Sequence, residues 1–452
     1  MTENTTAETT DDRTTAEKVA RAERAALELA TLSDEARSEA LQDIADAIDA
    51  NRDRILEANE RDVAEAETLL EQGEYTQALV DRLKLSDSKL DSIIEMVRSV
   101  AGQEDPLGRT LSARHLDDDL DLYKVSVPIG VVAAVFESRP DALVQIASLG
   151  LKSGNAVILK GGSEALHSNR VLYECIVEAT SDVPDGWAAN IEAREDVDEV
   201  LGMDESVDLL MPRGSSAFVQ YIQDNTSIPV LGHTEGVCHV FVDCEADLAM
   251  AEEVALDAKV QYPAVCNAVE TLLVHQDVAA EFLPDMVETY RDHDVTLRGC
   301  ERTREHVDVG EATEEHWGQE YGDLELDIRV VDSLTAAVGH VTEYGSKHTE
   351  SVLTEDADRA ARFMRGVDSS SVFHNASTRF ADGFRYGLGA EVGISTGKTH
   401  ARGPVGLEGL TTYKWYLEGD GQLVGTYAGD DAKPFRHEDF DGEWNPGHRS
   451  GE

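Results

Sequence analysis

Cys266 stands in Tyr262-Pro263-Ala264-Val265-Cys266-Asn267-Ala268-Val269-Glu270, where a loop runs into an apolar, strand-forming stretch. A thiol at such a point is fixed by the backbone without being sealed in the core. The thiolate is the nucleophile, and cationic neighbours or a helix N-terminus lower a thiol from about 8.5 to roughly 3.5–7.5, which suits covalent catalysis at neutral pH. The local sequence alone also allows a small buried hydrophobe. Cys175, Cys238, Cys244, Cys266 and Cys300 show neither a CxxC pair nor metal-ligand spacing. That suits reduced thiols and argues against structural zinc, so no metal is expected.

Two further segments could hold a dinucleotide. Lys160-Gly161-Gly162-Ser163-Glu164 follows the apolar run Ala156–Leu159 and opens a helix. Its glycines allow close backbone approach, a helix N-terminus favours negative charge, and Lys160 can meet ribose or phosphate oxygens. Strand-Gly-Gly-helix is also a common structural turn, and Gly-x-Gly-x-x-Gly is absent. Pro212-Arg213-Gly214-Ser215-Ser216 is a second strand-to-helix loop, in which Arg213 or the Gly214 and Ser215 amides can approach a pyrophosphate, or Ser215 can simply cap the helix.

The elements that must position these groups follow from periodicity. Residues 1–15 read as a disordered acidic N-terminus. Ala16 to about Ala101 shows apolar positions at helical spacing, such as Leu41, Ile44 and Ile48. From Leu120 strands and helices alternate: Val131–Phe136, Asp141–Leu151, Ala156–Lys160, Ser168–Thr180, Leu209–Pro212 and Ser215–Asn225. Alternation of this kind implies parallel sheet covered by helices on both faces. A second such run from about Val269 to Phe373 reads as the catalytic domain, with Cys266 at the junction. After about residue 428 the chain reads as an acidic, poorly ordered tail.

The long segment Val127–Asp141, the segment Lys152–Asn169, Cys266-Asn267-Ala268, Gly387-Leu388-Gly389-Ala390-Glu391 and His400-Ala401-Arg402-Gly403-Pro404 together resemble the gamma-glutamyl phosphate reductase (glutamate-5-semialdehyde dehydrogenase) family of the aldehyde dehydrogenase superfamily. The resemblance implies an α/β fold of two doubly wound parallel-sheet domains plus a small oligomerisation arm. Its expected parts are an NADP-binding domain with N-terminal helices over 16–255, a catalytic domain over 256–400 and an oligomerisation strand over 401–427, with 110–127 contributing to the arm. It implies NADPH-dependent reduction of L-glutamyl 5-phosphate to L-glutamate 5-semialdehyde and phosphate through a Cys266 thioester, in proline biosynthesis. Arg139, in Glu137-Ser138-Arg139-Pro140, lies where the wider superfamily places an oxyanion-stabilising Asn close by. Its forked donors suit an acyl phosphate and an oxyanion, and a salt bridge to Glu137 is the competing reading. His233, in His233-Thr234-Glu235-Gly236, falls where hydrolytic relatives carry a water-activating Glu, and is a candidate proton donor. Asn267, Asn375, Ser377, Arg379 and Arg402 sit on expected substrate-side loops, where surface ion pairing competes for the cations. A general NAD(P)-dependent aldehyde dehydrogenase and a catalytically silent nucleotide-binding protein are the alternatives.

At 452 residues the length suggests about three domains. Asp and Glu number 90 against 39 Lys and Arg, a net charge of −51 spread along the chain. Such a field repels nucleic acid and anionic membranes, and reads as halophilic adaptation, since salt at 1 M screens charge over roughly 3 Å. No apolar run reaches the ~18 residues of a membrane span, and the first ten residues are polar, so a cytoplasmic protein is expected; the resemblance adds the expectation of a homo-oligomer with transient contact to glutamate 5-kinase.

Overall fold

A computed structural model describes residues 13–193 and 195–445, so most of the expected disordered N-terminus lies outside the described residues. Order begins earlier than expected. Thr14 caps the helix Thr15–Leu29 through a capping box with Glu17, which satisfies amides a frayed end would leave open. The helices Asp34–Ala50, Gln77–Leu83 and Asp87–Ala101 start on Ser33, Thr76 and Ser86 caps.

The chain forms two compact units. In the first, the strands Ala188–Asn190, Ala156–Gly161, Val131–Phe136 and Leu209–Arg213 make a four-stranded sheet in that order, parallel throughout. In the second, Gly310–Glu311, Thr296–Gly299, Glu325–Val331, Val269–His275, Cys238–Val242, Thr349–Leu353 and Ser371–His374 make a seven-stranded sheet, again parallel. Strands buried on both faces need continuous apolar runs. Successive residues then serve opposite sides: Val240, Val242, Leu272 and Val274 enter one core cluster, while Phe241 and Leu273 enter another with Val352 and Phe363. Each such side chain contributes about 1.5–3 kcal/mol by its burial.

The expected domain boundary at 255/256 does not hold. The second unit comprises Ser215–Tyr221 and Leu231–Gly409. The reason is pairing: Cys238–Val242 bonds to Val269–His275 on one side and Thr349–Leu353 on the other, so Cys266 lies well inside this unit. Alternation of strand and helix runs through the boundary unchanged, which is why the sequence did not mark it.

The C-terminal residues return to the first unit. Thr411–Glu418 pairs antiparallel with Leu120–Pro128 of the same chain, which pairs in turn with Thr110–Asp117, and Thr110–Asp117 takes Glu438–Asp439 on its other side at the sheet edge. Residues 401–409 belong instead to the second unit, where Gly403–Val405 pairs with Gly393–Ser395. Nor is the tail loose over its described length. Phe440 stacks on His115 with centroids 3.9 Å apart, Trp444 on Tyr416 at 4.2 Å, and Lys433 pairs with the buried Asp117. These aromatic and cationic contacts offset the acidity on which the expectation of disorder rested; residues 446–452 lie outside the described residues.

The acidic composition makes a direct prediction. Raising KCl from about 0.2 to 2 M is expected to lift the melting temperature by roughly 10 °C, because screening removes a few kcal/mol of self-repulsion. A melting temperature that is flat or falls with salt would contradict it.

Candidate active site

The amino ends of three adjacent strands build the thiol's surroundings. Gly236 precedes Cys238–Val242, Cys266 precedes Val269–His275, and His348 precedes Thr349–Leu353. Cys266 Sγ and one ring nitrogen each of His233 and His348 all lie within 4.8 Å of one another. The thiol is half-buried, so it is fixed but reachable. The loop beneath it is tightly held. Cys238 Sγ donates to the Cys266 carbonyl at 3.2 Å, and the Ala268 amide donates to Val265 O at 2.9 Å. A Cβ at Gly236 would lie 2.5 Å from the Cys266 Cα and closer still to its carbonyl oxygen. The Gly236 amide donates to Glu320 Oε2 at 2.9 Å.

The loop's two stems are joined by a buried ion pair. Lys259, on the helix Leu248–Val260 before the loop, donates to Glu270 at 2.7 Å on the strand after it, and neither side chain is more than 1% exposed. Burial pushes the Glu270 carboxyl up to about 7, against the pull of Lys259. Such a pair fixes geometry more than it adds stability, since desolvation consumes much of its attraction.

The expected substrate-side residues part company. Arg379 is buried in the short turn Thr378–Phe380, donates to Gln261 at the stem of the loop, and lies in electrostatic reach of Cys266. Burial holds its guanidinium below the usual range, and no carboxylate pairs with it among the described residues, so the competing surface ion pair is not formed. Asn267 donates to Ala381 O at 2.8 Å, tying that turn to the nucleophile loop, and its Oδ1 is buried without a partner among the described residues. Ser377 caps the same turn by accepting from the Arg379 amide. Asn375 has both ends of its amide on the Thr354 backbone, and Arg402 bonds to Asp368. Those bonds brace Asn375 and Arg402 within this unit, while Arg402 Nε is buried without a partner among the described residues. Glu235 is exposed, whereas His233 Nδ1 meets the Ile394 carbonyl at 2.9 Å. A carbonyl only accepts, so that nitrogen carries the proton.

In the first unit the candidate nucleotide residues cluster at carboxyl ends of neighbouring strands, where open parallel sheets receive ligands. Lys160 and Gly161 end Ala156–Gly161, Arg213 ends Leu209–Arg213, and Arg139 follows the central Val131–Phe136. A Cβ at Gly161 would overlap the Asn169 amide, so glycine is required there by close approach. One expectation fails. The helix Leu166–Ala179 does not offer its N-terminus to a phosphate, because Asp62 already accepts from the His167 and Ser168 amides at 3.0 and 2.8 Å. The fit to a phosphate-bearing dinucleotide therefore rests on the cations and the glycine contour, with Ser163 in the short turn after Gly162 and Gly214 after Arg213; Ser215, just before the helix Ser216–Asp224, belongs to the second unit.

Glu164 has a role the sequence did not reveal. Its Oε1 accepts from the Ser138 amide at 2.5 Å and hydroxyl at 2.8 Å. Ser138 is thereby held at φ +51°, a conformation rare for a residue with a side chain, and Arg139 follows it. Arg139 has no carboxylate partner among the described residues, which removes the competing salt bridge to Glu137. Glu164→Ala is expected to lower kcat/KM about tenfold, the worth of one or two hydrogen bonds, and to leave the Kd for a nicotinamide dinucleotide nearly unchanged. A large change in that Kd instead would show Glu164 on the cofactor.

The residues that sequence reasoning missed, His348, Lys259, Glu270 and Asp62, lie far from the recognised motifs or look like ordinary charged positions. Only Glu270, four residues after the thiol, carried a signal: an acidic side chain inside an otherwise apolar strand.

Comparisons with known proteins agree with this geometry. The sequence model of the aldehyde dehydrogenase family matches residues 2–316. Gamma-glutamyl phosphate reductase of Natronomonas pharaonis is 74% identical over 435 residues, covering 96% of this chain and 99% of the relative. That of Haloquadratum walsbyi is 69% identical over 442 residues, covering 96% and 97%. These halophilic relatives accord with the acidic composition. The crystal structure of gamma-glutamyl phosphate reductase from Thermotoga maritima at 2.00 Å superposes with a TM-score of 0.87 at 42% identity, covering 90% of this chain and 99% of that one. Identity this high across nearly the full length of both partners places the protein among the gamma-glutamyl phosphate reductases of the aldehyde dehydrogenase family.

Proposed function

We propose that this reductase converts L-glutamyl 5-phosphate to L-glutamate 5-semialdehyde and phosphate, a step of proline biosynthesis, with Cys266 as its covalent nucleophile and NADPH as its cofactor. The observation that carries the reading is the half-buried thiol within 4.8 Å of two imidazoles, on a loop locked at both stems. Cys266 attacks the acyl carbon, the C–O bond to phosphate breaks with its electron pair, and a thioester forms. The Cys266 amide is proposed as a donor to the developing oxyanion, and Arg139 is proposed, on the family resemblance alone, as a forked cation for the acyl phosphate. When bound, the cofactor would supply the hydride that reduces the thioester. Expulsion of sulfur from the resulting adduct then frees the aldehyde and restores the thiol.

Lys160, Gly161, Gly162, Ser163, Arg213, Gly214 and Ser215 are proposed to hold the cofactor. Glu164 is engaged with Ser138, which supports NADPH over NADH by keeping that carboxylate from a 2′-phosphate. Arg379 is the best-supported ligand for a substrate anion. Tyr413, Trp415 and Leu417 lie exposed on the outer strand of the arm, which supports a homo-oligomer. No helix of the described residues is long and apolar enough to cross a membrane, in keeping with the proposed cytoplasmic location. Transient transfer of an unstable acyl phosphate from glutamate 5-kinase also belongs to this reading.

The test runs the reaction backwards. Oxidation of glutamate 5-semialdehyde by NADP is expected to require inorganic phosphate or arsenate. Turnover to free glutamate without either would favour a hydrolytic aldehyde dehydrogenase and defeat the proposal.

A further inference from the structure

We propose that His348 is the base that takes the proton from the Cys266 thiol and later returns it. The inference rests on Cys266 being the nucleophile. His348 is fully buried, and its ring is fixed from several sides. Nδ1 lies 2.9 Å from Thr349 Oγ1 and 3.6 Å from Cys238 Sγ, while its carbonyl accepts from Ser370 Oγ at 2.6 Å and from the Ser371 amide at 3.1 Å. Nε2 is buried with no hydrogen-bond partner among the described residues. Leaving such an atom unpaired is unfavourable, and folds retain it where a site uses the group. We assign the ring the tautomer in which Nδ1–H donates to Thr349 Oγ1, which leaves Nε2 with its lone pair as the basic nitrogen.

A ring nitrogen of His348 is within 4.8 Å of Cys266 Sγ, and the ring meets that of His233 edge to face with centroids 5.0 Å apart. Thiol–imidazole separations in the absence of substrate are often long and tighten when it binds. The other ionisable groups facing the pair are Cys238, Arg379, and the buried Glu350 and Glu270 that act on Cys238. None of these four is a better acceptor, and His233, whose Nδ1 donates to the Ile394 carbonyl, is the rival that the labelling experiment separates. Cys238 is held protonated by burial, Arg379 has no lone pair to offer, and Glu350 and Glu270 already bond to His239 and Lys259.

The step balances without a further reactant. The S–H bond breaks, its proton passes to His348 Nε2, and sulfur keeps the electron pair as thiolate beside the imidazolium. Sulfur then bonds to the acyl carbon as phosphate departs. After reduction, the C–S bond breaks with its pair on sulfur as the aldehyde C=O forms, and the His348 proton returns to the thiolate.

Iodoacetamide alkylation of the full-length protein without substrate, followed against pH and assigned to Cys266 by peptide mass spectrometry, tests the pairing directly. The wild-type midpoint is the reference. His348→Gln is expected to shift the midpoint upward and slow labelling at pH 7 about tenfold, with kcat falling more than KM changes; His233→Gln is expected to move it little. Thr349→Val, which removes only the hydroxyl orienting the ring, is expected to shift it the same way by less, and serves should His348→Gln fail to fold. A folded His348→Gln protein with the wild-type midpoint overturns the proposal. So does an unshifted Thr349→Val midpoint where His348→Gln does not fold, or a shift seen with His233→Gln alone. If Cys266 itself proves dispensable for turnover, the nucleophile assignment fails, and that result is visible before any histidine variant is compared.

Discussion

Replacing Cys266 with alanine is expected to cut reductase turnover by roughly 10⁴-fold or more, the usual scale for removing a covalent nucleophile. Affinity for the proposed cofactor NADPH, measured by fluorescence titration, is expected to stay within about threefold of wild type, because each proposed cofactor residue lies in another part of the sequence. The pairing of outcomes matters more than either alone. Loss of both turnover and cofactor affinity would signal a collapsed fold, and retention of turnover would remove the thioester from the mechanism. Serine is a weaker substitute test, since a hydroxyl there keeps some capacity to attack.

Gly236→Ala is the second large effect, and it acts on the nucleophile from a neighbouring strand. The added methyl would overlap the backbone of Cys266, and backbone has no rotamer by which to withdraw. Overpacking of this kind costs about 1–3 kcal/mol or more, and a displacement near 1 Å at a reacting atom costs about 10²-fold in rate. The expected result is a hundredfold fall in kcat on that scale, together with a lowered melting temperature. Wild-type kcat in this variant would show that the two backbones have room to separate.

Much of the architecture was legible in the sequence because parallel sheets demand it. Val131–Phe136 and Ala156–Lys160 announce buried strands by unbroken apolar runs, and the structure places them within a residue of the expected limits. The unit boundary was not legible, since Cys238–Val242 reads identically whichever sheet it joins, and only hydrogen bonding to Val269–His275 decides it. The site divides in the same way. Cys266 and Arg139 could be picked out because their residue types are unusual where they stand. His348 could not, because its meaning comes from adjacency of strands more than a hundred residues apart in pairing order, and one imidazole in a polar segment carries no local mark. Asp62 was hidden for a similar reason: an acidic side chain on the helix Arg52–Glu71 looks like solvated surface until the helix that it caps is folded against it.

The Lys259–Glu270 pair has a bearing on how an acidic enzyme experiences dilution. Surface charges in this chain feel every change of ionic strength, whereas two groups sealed from water lie beyond the reach of counterions. The anchor of the catalytic loop is thus indifferent to the medium that governs the rest of the molecule. Desalting should therefore not slacken the sulfur's mounting by degrees; the machinery keeps its shape until the whole body gives way, and catalytic loss and unfolding coincide.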